Sequence, residues 1–305
     1  MCSSAACAET LRGLKLPSLQ RLVRRLGVES QDLGHPDDLS MPHERALARG
    51  HGLDVADGLV PLAALQVAQV GEGDPTQGWA WISPSHWRVG SDHIAMAHPP
   101  ELQLDGDDSQ ALLAAMRPYF EEDGITLLYD APLRWLARSD IFRALPSASL
   151  DRVTGRTVEA WLPGCEAGKP LRRLQQEMQM LLYTLPLNEV RQRRGLLPVN
   201  SFWISGTGAL PPGHAARPAN GLQVTPYLRD AALQGDWNGW AAAWRQLDDR
   251  DCARLLADLE AGRPVRLTLC GETGARTWSS TAGSTWQRLL KFLAPAAPTA
   301  LLEGL

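Results

Sequence analysis

Three short runs carry residues whose types and spacing suit chemistry. The run Pro146-Ser147-Ala148-Ser149-Leu150-Asp151-Arg152-Val153-Thr154-Gly155-Arg156 gathers hydroxyls, a carboxylate, two guanidiniums and a glycine. Arginine-rich loops with small residues suit anion binding, because the guanidinium fork matches phosphate or carboxylate oxygens and glycine permits close approach. A salt-bridged surface loop explains the same letters. In Ser85-His86-Trp87-Arg88-Val89-Gly90-Ser91-Asp92-His93, strand alternation puts Trp87 and Val89 on one face, with His86 and Arg88 on the other. Imidazole and guanidinium together can hold a phosphate or carboxylate, or they can cap neighbouring loops. Asp92-His93 fits a metal pair or an orienting pair equally. The third run, LLPVNSFWISGTGAL, brings Asn200 before an apolar strand, Ser201–Ser205, which stops at Gly206-Thr207-Gly208. Glycines after a strand let backbone approach a ligand or another segment. Asn200, Gly206 and Gly208 are therefore candidate ligand contacts, unless the strand simply leaves a sheet there.

Other motifs fail on counting. His43-Glu44 begins like a zinc-protease HExxH, but position 47 is leucine. Gly164 to Lys169 is one residue short of a phosphate-binding loop, and Pro170 stands where a magnesium-binding hydroxyl is needed. Gly206 and Gly208 lack the third glycine of a dinucleotide fingerprint, and no GxSxG occurs.

The elements that must position these residues fall into three regions. Residues 1–75 read as mostly helical, with Leu16, Leu19, Leu22, Val23 and Leu26 forming one stripe between Pro17 and Gly27. A second helix begins near Pro42. Between 75 and 160, WAWISPSHWRVGSDHIAMA reads as strands and DSQALLAAMRPYFEEDG as a helix capped near Asp108 or Ser109. ITLLYD and RWLA read as a strand pair. From 170 onward helices and short apolar runs alternate, including strands at Ser201–Ser205 and Val265–Leu269 and a helix over STWQRLLKFL (284–293). Strands separated by helices imply an α/β fold with a mostly parallel sheet, the two strands just named being central in it. PPGHAARPANG (211–221) reads as a loop. Trp237, Trp240, Trp244 and Leu247 share one helix face, as core or as an aromatic ligand platform. Leu171, Leu174, Met178, Leu181 and Leu182 form a core stripe opposite a charged face.

Composition narrows the class. The 305 residues are 44% hydrophobic and 21% charged, with net charge −4. That is globular and gives no sign of a nucleic-acid or acidic-membrane partner. No run approaches the length of a membrane span, and the first residues lack the apolar region of a signal peptide, so a cytoplasmic location is expected. Cys2, Cys7, Cys165, Cys252 and Cys270 are scattered without a CxxC pair, which argues against a disulfide framework or a structural zinc site.

The runs SHWRVGSDHI, SLDRVTGR and QQEMQMLLYTLPLNEVRQRRGLLPVNSFWISGTG resemble the regulatory-protein RpfE type of plant-pathogenic bacteria and their relatives. More remotely, PLNEVRQRRGLLPVNSFWISGTG and the earlier LPSLQRL are similar to phrases of archaeal-type cofactor-independent phosphoglycerate mutases, in the same order. That resemblance implies a reduced alkaline-phosphatase-like α/β core (1–78 and 161–305) with a smaller inserted α+β domain (79–160). Such mutases use two metal ions, held by Asp and His residues, to activate a serine. Here no Asp precedes Leu16, Gly271-Glu272 replaces the later Asp-His pair, and the nucleophile's Ser-Asp phrase has no counterpart. The resemblance therefore implies the architecture without its chemistry.

The resulting expectation is a non-catalytic regulatory protein with no metal, cofactor or catalytic residues. It would sense a phosphorylated or carboxylate small molecule through His86, Arg88, Asp92, His93, Asp151, Arg152, Arg156, Asn200, Gly206 and Gly208, or bind a regulatory protein partner. The alternatives are a phosphomutase or phosphatase rebuilt around His86, Asp92 and His93, and a scaffold that binds only proteins.

Overall fold

The computed structural model describes residues 5–214 and 222–281. The chain forms two compact units, one from the residues up to Asp37 together with those from Gln223 onward, the other from Asp38–Leu222. The expected boundaries near 79 and 160 both fall inside the second unit. The helix expected over 284–293, and most of the loop expected at 211–221, lie outside the described residues.

The first unit opens with α1 (Ala5–Gly13), α2 (Pro17–Arg25) and β1 (Gly27–Leu33). Pro17 sits in the first turn of α2, where its missing N–H costs nothing. Leu16, Leu19, Leu22, Val23 and Leu26 are all buried in one cluster. The orphan amides at the start of α2 are capped from far along the chain. Asp248, itself buried, accepts from the Ser18 and Leu19 amides at 3.1 and 2.7 Å, so its charge also faces the positive end of the helix dipole.

The second unit runs through α3 (Pro42–Gly50), α4 (Leu62–Val70), β2 (Trp79–Ser85), β3 (Trp87–Val89), β4 (Ile94–Met96) and α5 (Gly106–Glu122). It continues with β5 (Thr126–Ala131), β6 (Arg134–Arg138), α6 (Leu150–Val153), α7 (Lys169–Tyr183), α8 (Pro186–Arg193) and β7 (Ser201–Gly208). The cap of α5 is Asp105, which accepts from the Asp108 amide at 2.8 Å, rather than the expected Asp108 or Ser109. The chain then completes the first unit with α9 (Tyr227–Leu233), α10 (Trp237–Leu247), α11 (Ala253–Glu260), β8 (Arg266–Cys270) and β9 (Gly274–Ser279).

The mixed α/β content is as expected, but the mostly parallel sheet is not. Sheets ordered β5-β6-β2-β7, β1-β9-β8 and β3-β4 are paired antiparallel throughout. Helices between strands suggested parallel crossovers; here they return the chain to lie antiparallel instead. Ser201–Ser205 and Val265–Leu269 do not share a sheet either, since β7 and β8 edge different ones. β7 reads as a central strand because it is buried along its whole length, with α4, α7 and the turn Asp140–Ala144 packed against it.

The α10 stripe is core. Trp244 and Leu247 are buried, and Trp237, Trp240 and Trp244 stack edge to face with centroids 6.2 and 6.0 Å apart. Cys7 is buried and disulfide-bonded, whereas Cys165 and Cys252 carry free thiols.

Trp203 tests the assignment of β7 to the core. Its ring is buried and its indole N–H donates to the Ala148 carbonyl at 3.0 Å. Trp203→Ala is expected to lower unfolding stability by about 3–5 kcal/mol. A loss under about 1 kcal/mol in urea titrations would place β7 at the surface.

Candidate functional site

Most residues nominated from the sequence hold the fold together. Asn200 stands one step before β7 and bonds Trp87, the first residue of β3 and two steps after the end of β2. Its side-chain oxygen accepts from the Trp87 amide at 2.7 Å and its NH2 donates to the Trp87 carbonyl at 2.9 Å, extending the ladder beyond the Ser85–Ser201 pair. Gly206 and Gly208 serve a bulge and a close approach. The β2–β7 register shifts here, and Gly206 has φ +62°, the conformation a bulge glycine supplies. A Cβ on Gly206 would lie 3.0 Å from the Trp81 ring, and one on Gly208 2.7 Å from Pro61 Cβ. The question raised by the strand end is answered mainly by packing.

His86 and Arg88 do not converge. His86 Nδ1 lies 2.8 Å from the Pro198 carbonyl oxygen, while the exposed Arg88 pairs with Glu101, whose other oxygen accepts from the His98 amide. Trp87 is buried but Val89 is exposed, because the strand breaks at His86 and β3 is short. Asp92 and His93 form an exposed pair at 2.7 Å in the β3–β4 turn; that contact holds the Asp92 carboxyl below its ordinary value. The Arg156 carbonyl accepts from Met96 N. Asp151 and Arg152 do join a cluster, together with a residue pair that motif counting discards, His43-Glu44.

α3 starts with Pro42 in its first turn, and Glu44 turns back so that Oε2 accepts from the Met41 amide at 2.9 Å. Its Oε1 accepts from Ser149 Oγ at 2.7 Å. Ser149 also caps α6, accepting from the Asp151 amide at 3.3 Å, and its own amide bonds Leu39 O at 2.9 Å. Asp151 Oδ2 lies 3.3 Å from His43 Nε2. The Arg152 guanidinium is 1% exposed and lies over Trp161, 5.7 Å from the ring centroid. Burial pushes the Glu44 carboxyl up to about 7; the bonds from Ser149 and Met41 oppose that rise and the nearby Asp151 charge adds to it.

A hydroxyl 2.7 Å from a carboxyl that titrates near neutrality has the form of a nucleophile and its base. Ser149 is 3% exposed, however, and its hydroxyl is occupied as donor and cap. The cleft beside it, lined by Ser40, Glu44, Val60, Leu62, Ser147 and Ser149, has room for about one water molecule. The arrangement holds a proton and a very small occupant. Among the described residues, no three His, Cys, Asp or Glu side chains gather to hold a metal ion. The Cys252 thiol is pushed up to about 12, first by burial and then by Asp248 and Asp251, so it is no nucleophile. No helix among the described residues is long and apolar enough to cross a membrane.

No family model and no curated protein matches the chain. Solved structures similar to it include a cofactor-independent phosphoglycerate mutase from Thermoplasma acidophilum, at 13% identity and TM-score 0.38 over 90% of this chain and 84% of that one. Another is the PH0037 protein from Pyrococcus horikoshii, at 11% identity and TM-score 0.43 over 90% and 82%. Likeness this loose carries no residue correspondence and no activity.

Glu44 gives the fold a pH dependence of definite sign. Its folded value, about 7, lies above the ordinary 4.5, so between those values the folded protein keeps a proton that the unfolded chain has lost. Stability contributed by this group is complete below about pH 4.5 and is lost as pH rises to about 7. For a half-buried side chain the loss is about 1–3 kcal/mol. Glu44→Gln keeps one acceptor for Met41 and one donor for Ser149, and is expected to remove that slope. Chemical denaturation at pH 5 and pH 8 checks it; equal slopes in both proteins would refute the assignment.

Proposed function

We propose that the chain is a non-catalytic regulatory protein of the RpfE type, acting through a small ligand or a protein partner. The observation that supports this reading is the state of Ser149. It is the hydroxyl best placed beside a near-neutral carboxyl, yet it is buried, caps α6 and donates to Glu44. A nucleophile in that position has no space beside it for a substrate phosphoryl group.

Of the two kinds of partner, a protein is favoured over an anion. An incoming phosphate would have to displace Glu101 from Arg88, and the buried Arg152 already lies against Trp161 within the fields of Glu44 and Asp151. Buried guanidinium held by such neighbours is a structural charge.

One observation favours a second reading, an enzyme acting on phosphorylated small molecules. The Ser149–Glu44 contact at 2.7 Å and the raised Glu44 value together match an activated serine. Incubation with 2- and 3-phosphoglycerate and with an aryl phosphate, with and without manganese, separates the two. No turnover is expected under any of these conditions. Turnover that disappears in a folded Ser149→Ala variant, or on adding chelator, would establish the enzyme instead.

A further inference from the structure

The cleft beside Glu44 has a hydrogen-bonding inventory that neither reading uses. Thr207 Oγ1 donates to the Leu145 carbonyl at 2.6 Å, so in the 2.8 Å contact between Ser147 and Thr207 the hydrogen belongs to Ser147. The Ser149 hydrogen goes to Glu44 Oε1. Both hydroxyls are therefore left with lone pairs alone. Ser40 Oγ accepts from the Gly58 amide at 2.8 Å, and each Glu44 oxygen has one bond in place and capacity for more. With Glu44 ionised, only Ser40 among the four has a hydrogen still to give. The cleft is a cup of acceptors around one carboxyl, walled on one side by Val60 and Leu62.

An acceptor cup of that size takes a hydrogen-bond donor or a bare cation, and its dimensions exclude guanidinium and alkylammonium groups. One lining carboxylate balances one positive charge, whereas a divalent ion takes six or more oxygens and usually several carboxylates. The surrounding charges agree. Asp57, held by the Leu39 and Ser40 amides at 2.7 and 2.8 Å, and Asp151 add negative field. Arg45 lies against Asp38 and the Ser40 carbonyl, His43 lies against Asp151, and Arg152 is the opposing charge that reaches Glu44. We propose that the cleft formed by Ser40, Glu44, Ser147 and Ser149 binds a compact monovalent cation of sodium, potassium or ammonium size. The site stands whether or not the protein regulates anything.

A bound cation stabilises the ionised form of Glu44, so its uptake releases a proton near neutrality and tightens as pH rises to 8. The test is the melting temperature of the full chain at pH 8 in sodium, potassium, ammonium or tetramethylammonium chloride at equal ionic strength. At least one of the three compact ions is expected to raise it by several degrees above tetramethylammonium, which is too large to enter. The rise should shrink at pH 5.5, disappear in Glu44→Gln and weaken in Ser147→Ala, which keeps the carboxylate and serves if the first variant does not fold. Equal melting temperatures in all four salts would show that the cleft takes water only. A rise unchanged in a folded Glu44→Gln, or in Ser147→Ala where the first does not fold, would place the ion elsewhere. Either result overturns the proposal.

Discussion

A guanidinium cannot be buried without partners, and the 38–222 unit is arranged around one that is. Arg191 on α8 is fully buried. Its Nη1 donates to Asp108 at 2.7 Å, its Nε to the Leu197 carbonyl at 3.2 Å, and its Nη2 to the Leu102 carbonyl. These contacts tie α8 to the first turn of α5 and to the segment leading into β7. Asn188, one helical turn earlier, ties the same segment again: it donates to the Leu182 and Val199 carbonyls and accepts from the Val199 amide. Asn200 then joins the start of β7 to Trp87 at the start of β3. Buried polar groups so completely satisfied specify one arrangement, because every alternative leaves a desolvated charge or amide.

The chain's most distinctive phrase, PLNEVRQRRGLLPVNSFWISGTG, is therefore a polar scaffold for the unit's core. Asn200 and the two strand-end glycines read as ligand contacts in the sequence, and the structure uses them, with Asn188 and the buried Arg191, to hold backbone.

The helices that were legible carry an apolar stripe at helical spacing, as in Leu171–Leu182 and Leu16–Leu26, or a start signal such as Pro17 or Pro42; α8, opening at Pro186, was not read. Strand direction was not legible. Spacing along the chain says nothing about which strand lies beside which, and β7 pairs with β2 from far away in sequence. β1 was missed because GVESQDL is an exposed edge strand with no alternation, and β9 because Gly, Arg and Thr interrupt its pattern. At the site, SLDR was visible as a concentration of functional groups. His43-Glu44 was visible only as a failed zinc motif. Pro42 followed by Glu44 does signal a helix start with a carboxyl turning back on the backbone. Nothing local could place Ser149, 105 residues away, over that carboxyl, and the raised Glu44 value follows from that long-range burial.

The central claim is that the buried charge pair on α8 and α5 is architecture. A double-mutant cycle on Arg191 and Asp108, read by urea unfolding, tests it most directly. Removing either partner alone strands the other, so Arg191→Ala is expected to cost about 3–5 kcal/mol. Arg191→Ala combined with Asp108→Ala should cost clearly less than the sum of the two single changes. A single Arg191→Ala loss under about 1 kcal/mol, with the two changes strictly additive, would contradict the account.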